Sequence, residues 1–271
     1  MTMRIRPRRS SNDAIAVDLG TARTQVFVPG RGIVLDEPTL AAYGEGGEVV
    51  AAGHDAWVAS VVGPARLRMP VRGGVVRDPV GCVHLLRLLL RKAGLVNVDG
   101  GDVAVALPAT AEPADESVLA AVIESATGGR AVPVESSLAA LLATGADMVD
   151  GGPRIVCDLG AGVSEVTAVG DGRVLAAAVR RLGVRSFDDD PARTIHRLTR
   201  SFCEVLDSLA PQVAADAVAR PMLVVGGGAL RSDLLARLSE SFSMALHVPA
   251  HPRELVARGL ARCLTVPRVA A

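Results

Sequence analysis

The sequence is poor in aromatic residues and has no long apolar run. Aromatic side chains make up 2% of the 271 residues, although apolar residues make up 49%. The hydrophobic cores must therefore be built mainly from Val, Leu and Ala. No apolar run approaches the roughly 20 residues of a transmembrane helix, so no membrane-spanning segment is predicted. Residues 1–11 also lack the apolar stretch of a secretory signal peptide.

An excess of charge of either sign is absent as well. The chain carries 29 basic and 29 acidic residues, so its charge gives no reason to expect nucleic-acid binding. The basic residues are almost all arginine, with Lys92 as the single lysine. We interpret this bias as a property of a GC-rich genome rather than of the function.

Cysteine and histidine patterns give no sign of disulfides or of a metal centre. The cysteines are scattered without a C-x-x-C pair: Cys82, Cys157, Cys203 and Cys263. This predicts a reducing cytoplasm and no disulfides. His247 and His251 are four residues apart, but Pro249 between them excludes a shared helical face, so no metal site is expected there.

One short pattern occurs twice in the chain. Asp158–Glu165 reads Asp-Leu-Gly-Ala-Gly-Val-Ser-Glu and lies between two apolar runs that predict strands. Asp18–Thr24 reads Asp-Leu-Gly-Thr-Ala-Arg-Thr between two similar runs. Each copy predicts a strand, an acidic glycine turn and a second strand. The duplication suggests two like domains that face each other across one nucleotide.

The turns suit an anion with a cation beside it. Glycine lets backbone N–H groups approach a phosphate, and an Asp can hold a cation or its water shell. A third turn, Gly226–Leu230, follows a strand and begins a helix, where the helix dipole favours a phosphate or a nucleoside edge. The predicted nucleotide-binding residues are Asp18, Gly20, Thr21, Ala22, Arg23, Thr24, Asp158, Gly160, Ala161, Gly162, Val163, Ser164, Gly226, Gly227, Gly228, Ala229 and Leu230. Asp18 and Asp158 are predicted to hold Mg through its water shell.

Alternating strands and helices predict an α/β fold with mixed sheets. The expected order is a flexible basic tail (1–12), a first domain (13–150) with a small subdomain (36–75), a second domain (151–264) and a tail (265–271). Residues 36–39 are expected to turn the chain. Helices are predicted over 54–62, 78–93, 113–127, 136–145, 186–210, 231–243 and 253–264.

The chain resembles the bacterial actin-like MreB and Mbl family. The two hairpins and Gly226–Leu230 resemble that family's two phosphate turns and its adenosine motif, and Gly32–Thr39 and Gly73–Asp78 also fit. The match runs in order from about Ala14 to Arg262. The resemblance implies an actin-like ATPase fold, with two ribonuclease-H-like domains around an ATP–Mg cleft.

Three departures from the family bear on activity. Gly160–Ser164 reads Gly-Ala-Gly-Val-Ser where Gly-Gly-Gly-Thr-Thr is usual, so Val163 replaces a hydroxyl near the terminal phosphate. Ser136 falls at the position of the family's catalytic Glu, and Glu135 beside it is expected to point away. No confident catalytic residue is assigned. The second domain also lacks the family's small subdomain, because residues 186–190 run almost directly into the next helix.

Three functions are compatible with these residues. The favoured one is a divergent actin-like cytoskeletal protein of cell shape, cell-wall synthesis or sporulation morphogenesis, with weak or lost ATP–Mg binding and hydrolysis. The alternatives are an active ATPase or small-molecule kinase, and a heat-shock-type chaperone, which would need a substrate-binding region after the ATPase. Expected partners are a full-length paralogue or cell-wall morphogenesis proteins. The expected place is the cytoplasm, with membrane contact through the basic N-terminus.

Overall fold

The computed structural model describes residues 14–95, 98, 100–146 and 151–265. The predicted N-terminal tail, residues 266–271 and residues 147–150 of the domain boundary lie outside the described residues. We call residues 14–146 the first half and residues 151–265 the second half. Within the described ranges, no helix is both long enough and apolar enough to cross a membrane.

Strands and helices alternate as the sequence predicts. The strands are β1 (Ile15–Leu19), β2 (Arg23–Val28), β3 (Gly32–Pro38), β4 (Ala41–Tyr43), β5 (Val49–Ala52), β6 (Arg66–Arg68), β7 (Val71–Arg72), β8 (Val75–Val76), β9 (Asp102–Leu107), β10 (Arg130–Glu135), β11 (Arg154–Leu159), β12 (Ser164–Gly170), β13 (Arg173–Arg180), β14 (Met222–Val225) and β15 (Leu246–His247). The helices are α1 (His54–Val62), α2 (Pro79–Lys92), α3 (Pro113–Thr127), α4 (Ser136–Ala143), α5 (Val184–Asp189), α6 (Pro191–Asp207), α7 (Pro211–Val218), α8 (Ser232–Phe242) and α9 (Leu255–Thr265).

The two halves contain sheets of the same topology. The first sheet has the order β10-β9-β1-β2-β3, and the second has the order β13-β12-β11-β14-β15. In each sheet an antiparallel three-strand meander is extended by two parallel strands. The hairpins β1–β2 and β11–β12 therefore hold equivalent places. The predicted duplication of the acidic hairpin is a duplication of the whole sheet.

Residues 36–75 contribute a small layer beside the first sheet. Strands β5, β4 and β6 form a three-stranded antiparallel sheet, and α1 packs against it. Helix α1 leaves several apolar side chains exposed: Trp57, Val58, Val61 and Val62. This small layer therefore carries an exposed apolar surface.

Two helices fill the space between the sheets. Helices α4 and α9 pack against each other, and their Ala, Val and Leu side chains form one core with residues of both sheets. The contact is so close that a Cβ on Gly259 of α9 would overlap the backbone carbonyl of Ala139 in α4. The halves thus share a packed core below the cleft.

Several boundaries differ from the sequence prediction. The predicted turn at residues 36–39 is wrong, because β3 continues to Pro38 and Gln25 and Asp36 are register partners in the sheet. The predicted helix 186–210 is two helices, since Asp190 accepts a hydrogen bond from the Arg193 N–H at 3.0 Å and starts α6. Helix α7 was not predicted at all; Pro211 begins it instead of only ending its predecessor. A 3₁₀ turn (Gly227–Leu230) precedes α8.

Candidate functional site

The two acidic hairpins close in the same way. The Gly20 N–H donates to the Arg23 carbonyl at 2.9 Å, and the Gly160 N–H donates to the Val163 carbonyl at 2.9 Å. A Cβ on Gly160 would lie 2.6 Å from the Val163 carbonyl oxygen, so only glycine fits this turn. The two turns therefore present equivalent stretches of backbone.

Both hairpins open onto one cavity of about 210 Å³ between the halves. The residues that line this cleft cavity are Asp18, Leu19, Gly20, Thr21, Ala22, Arg23, Gln25, Gly74, Ala106, Pro108, Ser136, Asp158, Gly160, Ala161, Val163, Glu165, Gly226, Gly227, Arg253 and Val256. Sites for drug-sized ligands usually enclose about 300–1,000 Å³. The enclosed part of the cleft is therefore smaller than a typical site for a drug-sized ligand.

The hairpins also touch each other across the cavity mouth. A Cβ on Gly162 would lie 3.2 Å from the Thr21 methyl carbon, and the Thr21 hydroxyl accepts a hydrogen bond from the Gly74 N–H at 3.0 Å. Val163 packs near Gly74 on the same side. Thr21 is therefore a contact point between the two halves.

Most of the predicted nucleotide-binding residues come together, but some do not line the cavity. Thr24 is buried and its hydroxyl lies 2.9 Å from that of Thr39, and Ser164 is buried in β12. Leu230 is 61% exposed, away from the cavity. The remaining residues outside the lining are Gly162, Gly228 and Ala229. The assignment of all these residues to nucleotide binding stays a prediction.

The glycine triplet Gly226–Gly228 packs against the first strand of the second hairpin. Gly226 has φ 84°, and a Cβ there would lie 2.7 Å from the Leu159 carbonyl oxygen, so this position requires glycine. Gly227 has no atom within 4 Å of an added Cβ and faces open space. Gly228 is buried against Leu159. Gly226 and Gly227 are thus the part of the triplet that a ligand can reach.

Ser136, which the resemblance predicts at the position of the family's catalytic Glu, lines the cavity. Its hydroxyl donates to the Leu107 carbonyl at 3.1 Å. Glu135 is not among the residues that line the cavity, but its charge adds to the rise in the pKa of Glu165, which does line it. A serine hydroxyl is not a general base at neutral pH, so this position cannot deprotonate a water molecule.

Three carboxyl groups lie around the cavity: Glu165 is buried, and Asp18 and Asp158 are half-buried. Burial raises the pKa of Asp18 to about 7, and Asp158 and Asp36 add to the shift. Burial also raises the pKa of Asp158 to about 6 and that of Glu165 to about 7. These groups favour a cation nearby, because a positive charge would offset their repulsion.

Two arginines at the cavity edge are held by one carboxylate. Arg23 forms an ion pair with Asp36 and also donates to its backbone carbonyl at 2.7 Å. Arg253, from the segment before α9, approaches the second oxygen of Asp36 at 2.9 Å. This cluster connects the first half to the second half beside the cavity.

The raised pKa of Asp18 predicts a pH dependence of stability. For Asp18 the folded-state pKa is raised, so its contribution to stability is fully present below the unfolded pKa and is lost as pH rises through about 7. We expect the nucleotide-free, EDTA-treated protein to become less stable between pH 5 and pH 8. Asp18→Asn should stabilise it at pH 8 by about 1–3 kcal/mol. Thermal unfolding measures the pH dependence and the effect of the substitution. Stability that increases from pH 5 to pH 8 would contradict the account. Asp216→Asn, on the exposed face of α7, is the control.

Sequence reasoning missed several residues of the cavity. Gln25, Gly74, Glu165 and Arg253 line it but were not predicted as site residues. Glu165 and Gln25 had a detectable signal, since each follows the Asp of its hairpin by the same spacing and lies opposite it in the strand register. Gly74 lies in the stretch Gly73–Asp78 that fits the family, but its place at the cavity was not predicted. Arg253 had no signal, because it reaches the cavity from a distant part of the chain.

The residues present fit a hydrated Mg ion. Within the described ranges, no group of three or more His, Cys, Asp or Glu side chains could hold a metal ion alone. Mg commonly keeps several waters and takes one or two carboxylates together with substrate phosphates. Asp18 and Asp158, which both line the cavity, would provide such a pair, and Mg held there would neutralise phosphate charge.

The paired hairpins, the duplicated sheets and the shared cavity together define an actin-like fold. A family profile described as MreB/Mbl protein matches residues 12–196 and 189–270, so the chain belongs to the MreB/Mbl family. The family predicted from the motifs is confirmed.

Similar proteins span nearly the whole chain. The cell shape-determining protein MreB of Escherichia coli (strain K12) is 24% identical over 325 aligned positions, covering 94% of this chain and 93% of that protein. The cell shape-determining protein Mbl of Bacillus subtilis (strain 168) is 21% identical over 314 positions, covering 90% and 93%.

Solved structures confirm the fold. MreB5 of Spiroplasma citri bound to AMPPNP superposes with a TM-score of 0.83 at 19% identity, covering 91% of this chain and 94% of that one. The MamK double helical filament gives a TM-score of 0.73 at 16% identity, with 94% and 100% covered.

Proposed function

We propose that this chain is a divergent actin-like cytoskeletal protein that acts in cell shape or cell-wall synthesis. It binds ATP–Mg at the paired hairpins and hydrolyses it slowly or not at all. The observation that carries this proposal is the meeting of both acidic hairpins at one cavity. Membership of the MreB/Mbl family supports it, as do the AMPPNP and ADP in the two MreB5 structures that share the fold.

Slow hydrolysis follows from the residues that surround the terminal-phosphate region. Ser136 offers a hydroxyl that already donates to Leu107, and Val163 offers only methyl groups. A missing general base typically lowers a rate by a factor of about 10² to 10⁴. Binding without prompt turnover would give a long-lived ATP state.

The loss of a subdomain is part of the proposal. Helix α5 is followed by α6 after the single residue Asp190. The family profile matches in two separate ranges, which overlap at residues 189–196. The alignment with the Escherichia coli relative spans 325 positions, more than the 271 residues of this chain, so this chain has gaps in it. A deletion between β13 and α6 accounts for all three observations.

This deletion predicts weak self-assembly. If subunits stack end to end and both halves of each subunit contact the next one, residues 36–75 of this chain lack the equivalent surface of the second half to pack against. An interface that loses much of its area falls toward weak contacts, below about 1,200 Å². We expect no pelleting of the protein alone after ultracentrifugation with ATP and Mg. We expect pelleting when a full-length paralogue is added. Robust pelleting alone would refute the assembly proposal.

The proposal extends to place and partners. We place the protein in the cytoplasm and at the inner face of the membrane, with the basic residues 1–12 as the contact. Each basic residue near an anionic leaflet contributes about 1 kcal/mol. Its proposed partners are a full-length actin-like paralogue and cell-wall morphogenesis proteins, with sporulation as one setting.

One observation favours a second candidate, an active ATPase. Glu165 lines the cavity, and burial raises the pKa of its carboxyl to about 7. A base with such a pKa suits proton abstraction at neutral pH. However, one oxygen of Glu165 is already held by the Ala109 N–H at 3.1 Å and by the Thr167 hydroxyl at 2.9 Å. ATP turnover equal to that of a full-length family member would select this candidate.

A further inference from the structure

Gln25 places an unpaired carboxamide at the cleft cavity. The residue is 2% exposed and lines the cavity from the middle of β2. Within the part of the chain that the structure describes, neither its Nε2 nor its Oε1 has a hydrogen-bond partner. A buried polar group without a partner costs about 1–3 kcal/mol. The Gln25 carboxamide is therefore available to form hydrogen bonds with a ligand in the cavity.

The duplicated fold shows what Gln25 corresponds to. Gln25 is the register partner of Asp18, and Glu165 is the register partner of Asp158. Glu165 is supported by donors, one of which is Thr167 two residues further along its strand. The counterpart of Thr167 beside Gln25 is Phe27, which has no polar group. Protein groups therefore hydrogen-bond to Glu165, whereas the carboxamide of Gln25 has no hydrogen-bond partner within the described residues.

The carboxamide restricts the kind of ligand. It offers two N–H donors and one carbonyl acceptor, so an apolar ligand would leave both unpaired. Phosphoryl oxygens accept hydrogen bonds, and water molecules on a metal ion donate them. The cavity already holds the carboxyl groups of Asp18, Asp158 and Glu165, so a neutral side chain adds a contact without adding repulsion.

We propose that Gln25 binds the phosphate–Mg unit of the nucleotide, as the first-half counterpart of Glu165. With the nucleotide bound, Nε2 would donate to a phosphoryl oxygen and Oε1 would accept from a water molecule on the metal ion. The amide cannot take a proton from water, so Gln25 contributes to binding without replacing the missing base. This inference rests on the proposed nucleotide binding.

The test compares Gln25→Leu and Gln25→Glu with Gln212→Leu, which makes the first change on the exposed face of α7. Binding of ADP–Mg and AMPPNP–Mg is measured by calorimetry, and the melting temperature is measured without nucleotide. Loss of hydrogen bonds to a charged group predicts affinity for both nucleotides about ten- to a hundredfold weaker in Gln25→Leu. Gln25→Glu should weaken binding at least as much. The nucleotide-free melting temperature of Gln25→Leu should stay equal or rise, because the unpaired groups are gone.

The outcomes separate this inference from the proposed function. Equal affinity of the wild type and Gln25→Leu would overturn the inference and leave nucleotide binding intact. A lower melting temperature of nucleotide-free Gln25→Leu would show a purely structural role and also overturn it. A wild type that binds neither nucleotide would refute the proposed function and this inference together.

Discussion

Replacing Ser136 with glutamate is expected to raise ATP turnover by about 100-fold, the lower end of what a general base contributes. Ser136 already lines the cavity at the first position of α4, so the change places a carboxylate beside the phosphate region. The serine hydroxyl donates only to the Leu107 carbonyl, so one hydrogen bond is lost. Steady-state phosphate release with saturating ATP and Mg measures the effect.

Ser136→Gln is the matched control, because it has the length of glutamate without its basicity. Its turnover should stay at the wild-type level. An equal increase in both variants would show that side-chain size, and not a base, limits the reaction. No increase in Ser136→Glu, with ATP still bound, would contradict the assignment of this position.

Gly259→Ala is expected to destabilise the protein by about 3 kcal/mol or more, a large part of a typical domain's stability of about 5–15 kcal/mol. The added Cβ would overlap the Ala139 carbonyl and lie 3.0 Å from the Ala139 Cα, so helices α4 and α9 must move apart. Alanine favours a helix over glycine by only about 0.5–1 kcal/mol, which does not offset this overlap. Chemical denaturation with a fluorescence or circular dichroism signal measures the loss.

Gly63→Ala after α1 is the control for this change. Its Cβ would lie 3.4 Å from the Ala59 carbonyl oxygen, an ordinary contact, so stability should change by less than about 0.5 kcal/mol. Since α4 and α9 connect the two sheets, the folded fraction of Gly259→Ala should also bind ADP more weakly. Wild-type stability in Gly259→Ala would show that the helices do not pack this closely.

Local patterns were sufficient to predict the elements that build the cleft. Each Asp-Leu-Gly hairpin joins two apolar runs, and both fold as predicted because the glycine turn and the strands agree. The glycine after α3 ends that helix in a left-handed conformation, with φ 72° at Gly128, as its position predicts. Such signals lie within a few residues of their effects.

Contacts between distant residues were beyond prediction from local patterns. Asp36 was predicted to lie in a turn at residues 36–39, but pairing with β2 and two arginines keep it extended. Arg253 reaches Asp36 from the opposite end of the chain. Glu165 is the last residue of the second motif and was not predicted as a site residue, but its strand register with Asp158 directs it to the cavity. Side-chain direction in a hairpin follows from register, which sequence spacing shows only once the pairing is known.

Calorimetric titration of the wild type with AMPPNP, with Mg and then with EDTA, tests the central claim most directly. The account predicts saturable binding that depends on Mg and is lost in Asp158→Asn, which removes the carboxylate from the second hairpin. Binding that is absent at millimolar nucleotide, or that is unchanged in Asp158→Asn, would contradict a nucleotide site at the paired hairpins.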